Sequence, residues 1–185
     1  MKIAWAIPAA AMAATTPSWD IQLAPNTEPG TRLVVMGHVR MDRGTPGLAG
    51  VHVYAYHADG HGYYALPGHE KEGPRLAGTA VTNERGEYRL RTVMPGVYEG
   101  GPAHIHFEVW GEGMPRKAFV MNLMSIDTYK PPPDTGSLYE RFALRRQAHL
   151  SPVTGYQLLR DEKGVLHGAY EIFWKWGMLV PGTKK

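Results

Sequence analysis

Two histidines one residue apart, His104 and His106, have the type and spacing to do chemistry. If residues 103–109 form a strand, successive side chains alternate faces. Both imidazoles then point one way, while Ile105 and Phe107 point the other. Two imidazoles on one strand face can chelate a single metal ion. The same spacing also occurs on exposed strands that bind nothing, so the pair alone leaves both readings open. The tyrosines around it have to decide. Tyr98 stands six residues before His104, and Tyr63 and Tyr64 follow Gly62 further upstream.

The rest of the composition narrows what such a site can be. Cysteine is absent, which excludes disulfides, thiolate metal sites and a cysteine nucleophile, so any metal must use nitrogen and oxygen ligands. The chain has 185 residues, 43% of them hydrophobic and 20% charged, which fits one globular domain. A formal net charge of +3 is mild, and Arg145-Arg146 and Lys184-Lys185 are pairs and not blocks. No nucleic-acid footprint is expected from that pattern. No stretch reaches the ~18 apolar residues of a membrane-spanning helix, so no membrane partner is expected either.

To hold the histidines and tyrosines in place the chain offers many short strands. With 22 glycines and 15 prolines, turns are frequent. Residues 32–40, 51–56, 77–82, 87–92, 103–109 and 117–124 read as strands, and 156–160 with 168–174 as a closing hairpin over Asp161-Glu-Lys-Gly164. The turn Asn83-Glu-Arg-Gly86 between two alternating runs predicts a hairpin of 77–82 with 87–92. Ser137 and Glu140 can cap a short helix over 138–147. The expected fold is all-β, an antiparallel β-sandwich with long loops and at most one or two short helices. Residues 1–30 form a signal-like or extended N-terminal arm, and 31–185 a single sandwich domain. If residues 1–14 are a cleaved signal, the protein is periplasmic or secreted; otherwise it is cytoplasmic.

Four segments in order resemble the intradiol ring-cleavage dioxygenases, the family of protocatechuate and catechol dioxygenases. They are Val34-Val-Met-Gly-His-Val-Arg40 with Gly47-Leu-Ala-Gly-Val-His-Val-Tyr54, then Tyr56-His-Ala-Asp-Gly-His-Gly-Tyr-Tyr64. Thr82-Asn-Glu-Arg-Gly-Glu-Tyr88 running on to Pro95-Gly-Val-Tyr98 follows, then Pro102-Ala-His-Ile-His-Phe107. The resemblance implies a β-sandwich of intradiol or prealbumin-like type, holding a non-haem Fe(III) between two tyrosines and two histidines. By position these are Tyr64, Tyr98, His104 and His106, with Tyr64 preferred to Tyr63 because it stands two residues after Gly62. Phenolate oxygen suits a hard ferric ion, and the ion in turn keeps phenols with a pKa of about 10 deprotonated. The implied activity joins a small aromatic diol and O2 to give a muconate-type diacid, with Tyr64 and Tyr98 as the catalytic ligands and Tyr98 displaced when the diol binds. A homo-oligomer is compatible with the family.

The sequence also departs from the family. Gly101 stands where an arginine usually precedes Pro-Ala-His-Ile-His, and Met121 and Asn122 stand where a glutamine is usual. Arg75, Arg116 and Lys117 are the candidates to replace the missing cation. Tyr63 and His61 are candidate substrate contacts. His57, His61 and His69, without regular spacing, read as solvated loop residues. Trp110, Trp174 and Trp176 read as core or subunit interface, and Glu108 as either a partner of His106 or a solvated carboxylate. Two rivals remain: a non-catalytic sandwich module keeping a vestigial metal, and a metalloenzyme on the same cage with a different substrate.

Overall fold

The computed structural model describes residues 17–97, 102–123 and 156–181. Its architecture follows from period-2 patterning. Strand β2 (Arg32–Arg40) alternates half-buried and buried positions along its whole length, with Leu33, Val35 and Val39 fully inside. Strands β3 (His52–His57) and β6 (His104–Gly111) do the same, sending Val53, Ala55, Ile105, Phe107 and Val109 inward. A strand that alternates this way can bury only one face, so two such sheets must pack inner face to inner face.

One sheet is antiparallel throughout. Its order is β11 (Met178–Leu179), β7 (Met114–Asn122), β6, β3 and β4 (Leu76–Val81). The other runs β1 (Asp20–Gln22), β5 (Glu87–Val93), β2, β9 (Leu166–Ala169) and β8 (Leu159–Arg160), with β10 (Ile172–Phe173) also pairing β2. This second sheet is mixed: β1 lies parallel to β5, and both β9 and β10 lie parallel to β2. Tyr88, Leu90 and Leu33 of this sheet share one buried cluster with Phe107, Ile105 and Met121 of the other. Two single 3-10 turns, Glu70–Glu72 and Trp174–Trp176, are the helical elements among the described residues. The helix expected over 138–147 lies outside them.

Two expectations meet a different arrangement. The runs 77–82 and 87–92 do not form a hairpin. The turn at Asn83 carries the chain from one sheet to the other: β4 pairs with β3, while β5 is flanked by β2 and β1. Both edges of β5 are therefore occupied, and the hairpin-like bond from Asn83 N to Glu87 O is not continued. Within the arm expected over 1–30, Asp20–Gln22 is an edge strand. Its Asp20 carboxylate accepts from Arg89, and Leu23 and Ala24 behind it are buried.

Candidate metal centre

The alternation that buries Ile105 and Phe107 turns His104 and His106 to the outer face of the antiparallel sheet. Each imidazole is fixed by a neighbour. His104 Nδ1 donates to the Pro102 carbonyl at 2.8 Å, which leaves the lone pair on Nε2. His106 sits opposite Tyr56 of β3, and their rings stack with centroids 4.8 Å apart and 13° between planes. Burial, and then the nearby His104, push the His106 pKa down, so its imidazole is held neutral. A neutral imidazole is the form that binds metal.

A phenol arrives from the β3–β4 connection. Tyr64 Oη lies 3.0 Å from His106 Nε2 and 3.4 Å from His104 Nε2, and the two Nε2 atoms are 3.0 Å apart. The backbone that carries Tyr64 is heavily braced. Residues 59–63 form a turn in which Asp59 N donates to the Tyr63 carbonyl, Gly62 N returns to the Asp59 carbonyl, and Gly62 has φ +90°. Asp59 Oδ1 accepts from His61 N at 2.9 Å and Tyr63 N at 3.0 Å. Asp59 Oδ2 accepts from Arg75 Nη2 at 2.8 Å, and Arg75 forks onto both oxygens of Glu28 at 2.6 Å each. The Arg75 backbone N–H meanwhile donates to the Tyr64 carbonyl at 2.8 Å. Burial works to raise the Asp59 pKa, but the Arg75 hydrogen bond and the two turn N–H groups outweigh it and hold the carboxyl below its ordinary range.

Among the described residues no three His, Asp, Glu or Cys side chains converge. What converges is two imidazole nitrogens and one phenol oxygen. Nitrogen and oxygen donors sit about 2.0–2.2 Å from a first-row metal, so donors at right angles lie about 3 Å apart. The observed 3.0, 3.0 and 3.4 Å separations match such a set. The donors are all nitrogen and phenol oxygen, the chemistry a ferric ion accepts. Beside them opens a cavity of about 610 Å³, lined by Tyr56, Tyr63, Tyr64, Pro67, Glu70 and His106 among others.

Of the four ligand candidates, Tyr64, His104 and His106 come together; Tyr98, like Gly101, lies outside the described residues. Tyr63 is 60% exposed and lines the cavity. His61 is exposed beside the turn and is not among the lining residues. None of the three candidate replacement cations reaches the cavity. Arg75 is spent on Glu28 and Asp59, Arg116 pairs with Glu108 at 3.1 Å over the Trp110 ring, and Lys117 lies over Trp174. Glu108 thus serves Arg116.

His57 corrects an expectation. It is fully buried, with Nδ1 2.6 Å from the Ala58 carbonyl and Nε2 2.6 Å from Thr92 Oγ1, and burial pushes its pKa down. As the last residue of β3 it continues the alternation inward, a signal visible in Val51-His-Val-Tyr-Ala-Tyr-His57. The same periodicity puts Tyr56 on the outer face, where sequence reasoning passed it over.

A β-sandwich presenting two histidines and a tyrosine on the outside of one sheet, beneath a braced loop, defines the class of protein. The particular family follows from comparison. Residues 8–131 match the model of the family described as Dioxygenase (Dioxygenase_C), and the chain belongs to that family, the intradiol ring-cleaving dioxygenases. It is 33% identical over 100 residues to the protocatechuate 3,4-dioxygenase beta chain of Burkholderia cepacia, an alignment spanning 47% of this chain and 42% of that relative. In fold it is similar to the dioxygenase domain of a dioxygenase–carbohydrate-binding protein fusion from Streptomyces sp. SirexAA-E. That likeness has a TM-score of 0.59 and 22% identity, and covers 90% of this chain and 94% of that one. An intradiol ring-cleavage dioxygenase from Tetranychus urticae gives a TM-score of 0.56 at 18% identity, covering 92% and 91% of the two chains.

Proposed function

We propose that the protein is an Fe(III)-dependent intradiol dioxygenase that opens a catechol-type ring with O2 to a muconate-type diacid. The observation that carries this reading is the convergence of Tyr64 Oη, His104 Nε2 and His106 Nε2 within 3.0–3.4 Å of one another. Tyr64, His104 and His106 would hold the iron, with Tyr98 as fourth ligand by its place in the family pattern. Bound there, ferric iron supplies the Lewis acidity that makes a chelated catechol ring open to attack by O2.

The chain's own groups do the rest. The Pro102 carbonyl holds His104 in the tautomer that offers Nε2. Tyr56, stacked on His106, keeps that ring upright and presents a second aromatic surface to the cavity. A flat diol ring entering there meets Tyr56, Tyr63 and Tyr64, surfaces suited to offset or edge-on aromatic contact. Held as a phenolate by bound iron, Tyr98 would accept one of the two protons the diol gives up, and solvent the other.

The test is direct. The iron-loaded protein is expected to be wine-red from tyrosinate-to-iron charge transfer and to consume O2 when a catechol is added, releasing a ring-opened diacid. A preparation that stays colourless with added ferric iron contradicts the reading. A second reading, a metal-binding sandwich module without turnover, draws on Gly101 and on the absence of any cation among the described cavity-lining residues. Red protein that takes up no O2 with any catechol decides for it.

A further inference from the structure

We propose that Asp59, held by Arg75 and Glu28, is a positioning residue that sets the reach of the Tyr64 phenol toward the histidine pair. This rests on the metal-binding reading above and goes beyond it, because neither Asp59, Arg75 nor Glu28 offers a ligand atom.

Asp59 is a hub whose N–H, carbonyl and both carboxylate oxygens are all engaged. Its N–H and Oδ1 fix Tyr63 from both sides, its carbonyl accepts from Gly62 N at 3.0 Å and Gly96 N at 2.8 Å, and its Oδ2 is taken by Arg75. Gly96 stands two residues before Tyr98, so one residue anchors the segments leading to both tyrosines. Arg75 closes the other side by donating its own N–H to the Tyr64 carbonyl. The phenol oxygen sits at the end of a long lever. A backbone rotation of about 10° moves such an oxygen by roughly 1 Å, beyond the ~0.5 Å tolerance of a productive constellation.

The carboxylates are well placed to hold that angle. Glu28 is 8% and Asp59 6% exposed, so each needs its share of the guanidinium fork, and removing the fork leaves two charges poorly solvated. A lysine keeps the positive charge at Arg75 but cannot span both partners as a planar fork does.

The same turn elsewhere in the chain provides the control. Asp161 makes the same local bonds, with Oδ1 accepting from Lys163 N and Val165 N at 2.9 Å each, yet no candidate ligand follows it. If Asp59 serves only to fold its loop, both turns should behave alike. If it positions Tyr64, only one should affect the metal.

The experiment compares full-length Asp59→Asn, Arg75→Lys and Asp161→Asn with wild type. It measures ferric-ion affinity, the tyrosinate charge-transfer band of the loaded protein, and thermal unfolding of the metal-free protein. Asp59→Asn and Arg75→Lys are expected to weaken iron binding about 10–100-fold and to shift or diminish the band while circular dichroism retains the sandwich. Asp161→Asn is expected to lower the melting temperature alone. Should either site variant fail to fold, Glu28→Gln, which loosens the guanidinium that ties Asp59 by removing its other charged partner, carries the same test. The proposal is overturned if the variants near Tyr64 bind iron with wild-type affinity and spectrum, whatever their melting temperature. A wild-type protein that takes no iron overturns the metal reading and this proposal with it, whereas normal iron uptake by wild type and variants alike removes the positioning role and leaves that reading standing.

Discussion

The turns at residues 59–63 and 161–165 are built alike and used differently. In each, an aspartate N–H donates to the carbonyl four residues on, its own carbonyl accepts from the glycine three residues on, and its Oδ1 caps two backbone N–H groups. Gly62 and Gly164 both sit at positive φ, +90° and +80°, a conformation glycine adopts without the steric cost of a Cβ. A third copy, at Asn83 with Gly86 at φ +77°, makes the same bonds. The difference lies in the spare side-chain atom. Asp161 Oδ2 turns back to His167 Nε2 at 2.9 Å, across its own hairpin, and Asn83 Nδ2 donates to Glu87. Asp59 Oδ2 instead reaches Arg75 and through it Glu28. Two of the turns brace themselves. The third is tied to distant segments, and it is the one followed by a phenol aimed at two imidazoles.

Gly96→Ala should break this contrast most severely. A Cβ there would stand 2.6 Å from the Gly60 carbonyl oxygen and from Gly62 N, backbone atoms that can yield only by moving the Asp59 turn. Overpacking of this kind costs about 1–3 kcal/mol, and iron affinity should fall by more than tenfold, read by ferric titration beside thermal unfolding. Glu28→Gln should act less strongly, weakening iron binding about tenfold because the fork loses one charged partner. Asn83→Ala should cost about 1–2 kcal/mol of stability from its two lost caps. It should leave iron affinity unchanged; a matching loss of affinity would show that general loosening, not positioning, governs the metal.

The smallest effect is in acid. Hydrogen bonding from Arg75 holds the Glu28 carboxyl below its ordinary range, and hydrogen bonding from His167 does the same for Asp161. Groups depressed on folding contribute stability that is fully present above the unfolded carboxylate value of about 4 and is lost as pH falls through the lower native values. Urea unfolding between pH 6 and 3 should show that decline, and Glu28→Gln should flatten part of it.

Much of this was legible in the sequence because it depends on local rules. Period-2 alternation located β2, β3, β5 and β6, and the same rule placed His104 and His106 on one face. The D/N-x-x-G turns at 83 and 161 were also readable. What the turn at Asn83 connects was not, since pairing is decided by which sheet edges are already filled, and β1 and β2 fill both edges of β5. The stack of Tyr56 on His106 needs the knowledge that β3 lies beside β6. The charge of Arg75 is plain in the sequence but its task is not, because its partners stand 16 and 47 residues away and only the fold brings them within 2.6–2.8 Å.

The central claim is that the phenol of Tyr64, and not that of its neighbour, completes a metal set with His104 and His106. Absorption spectra of the ferric-loaded wild type, Tyr64→Phe and Tyr63→Phe test it most directly. Tyr64→Phe is expected to change the tyrosinate band and sharply reduce iron affinity, while Tyr63→Phe leaves both intact. A band that survives Tyr64→Phe and is lost in Tyr63→Phe contradicts it.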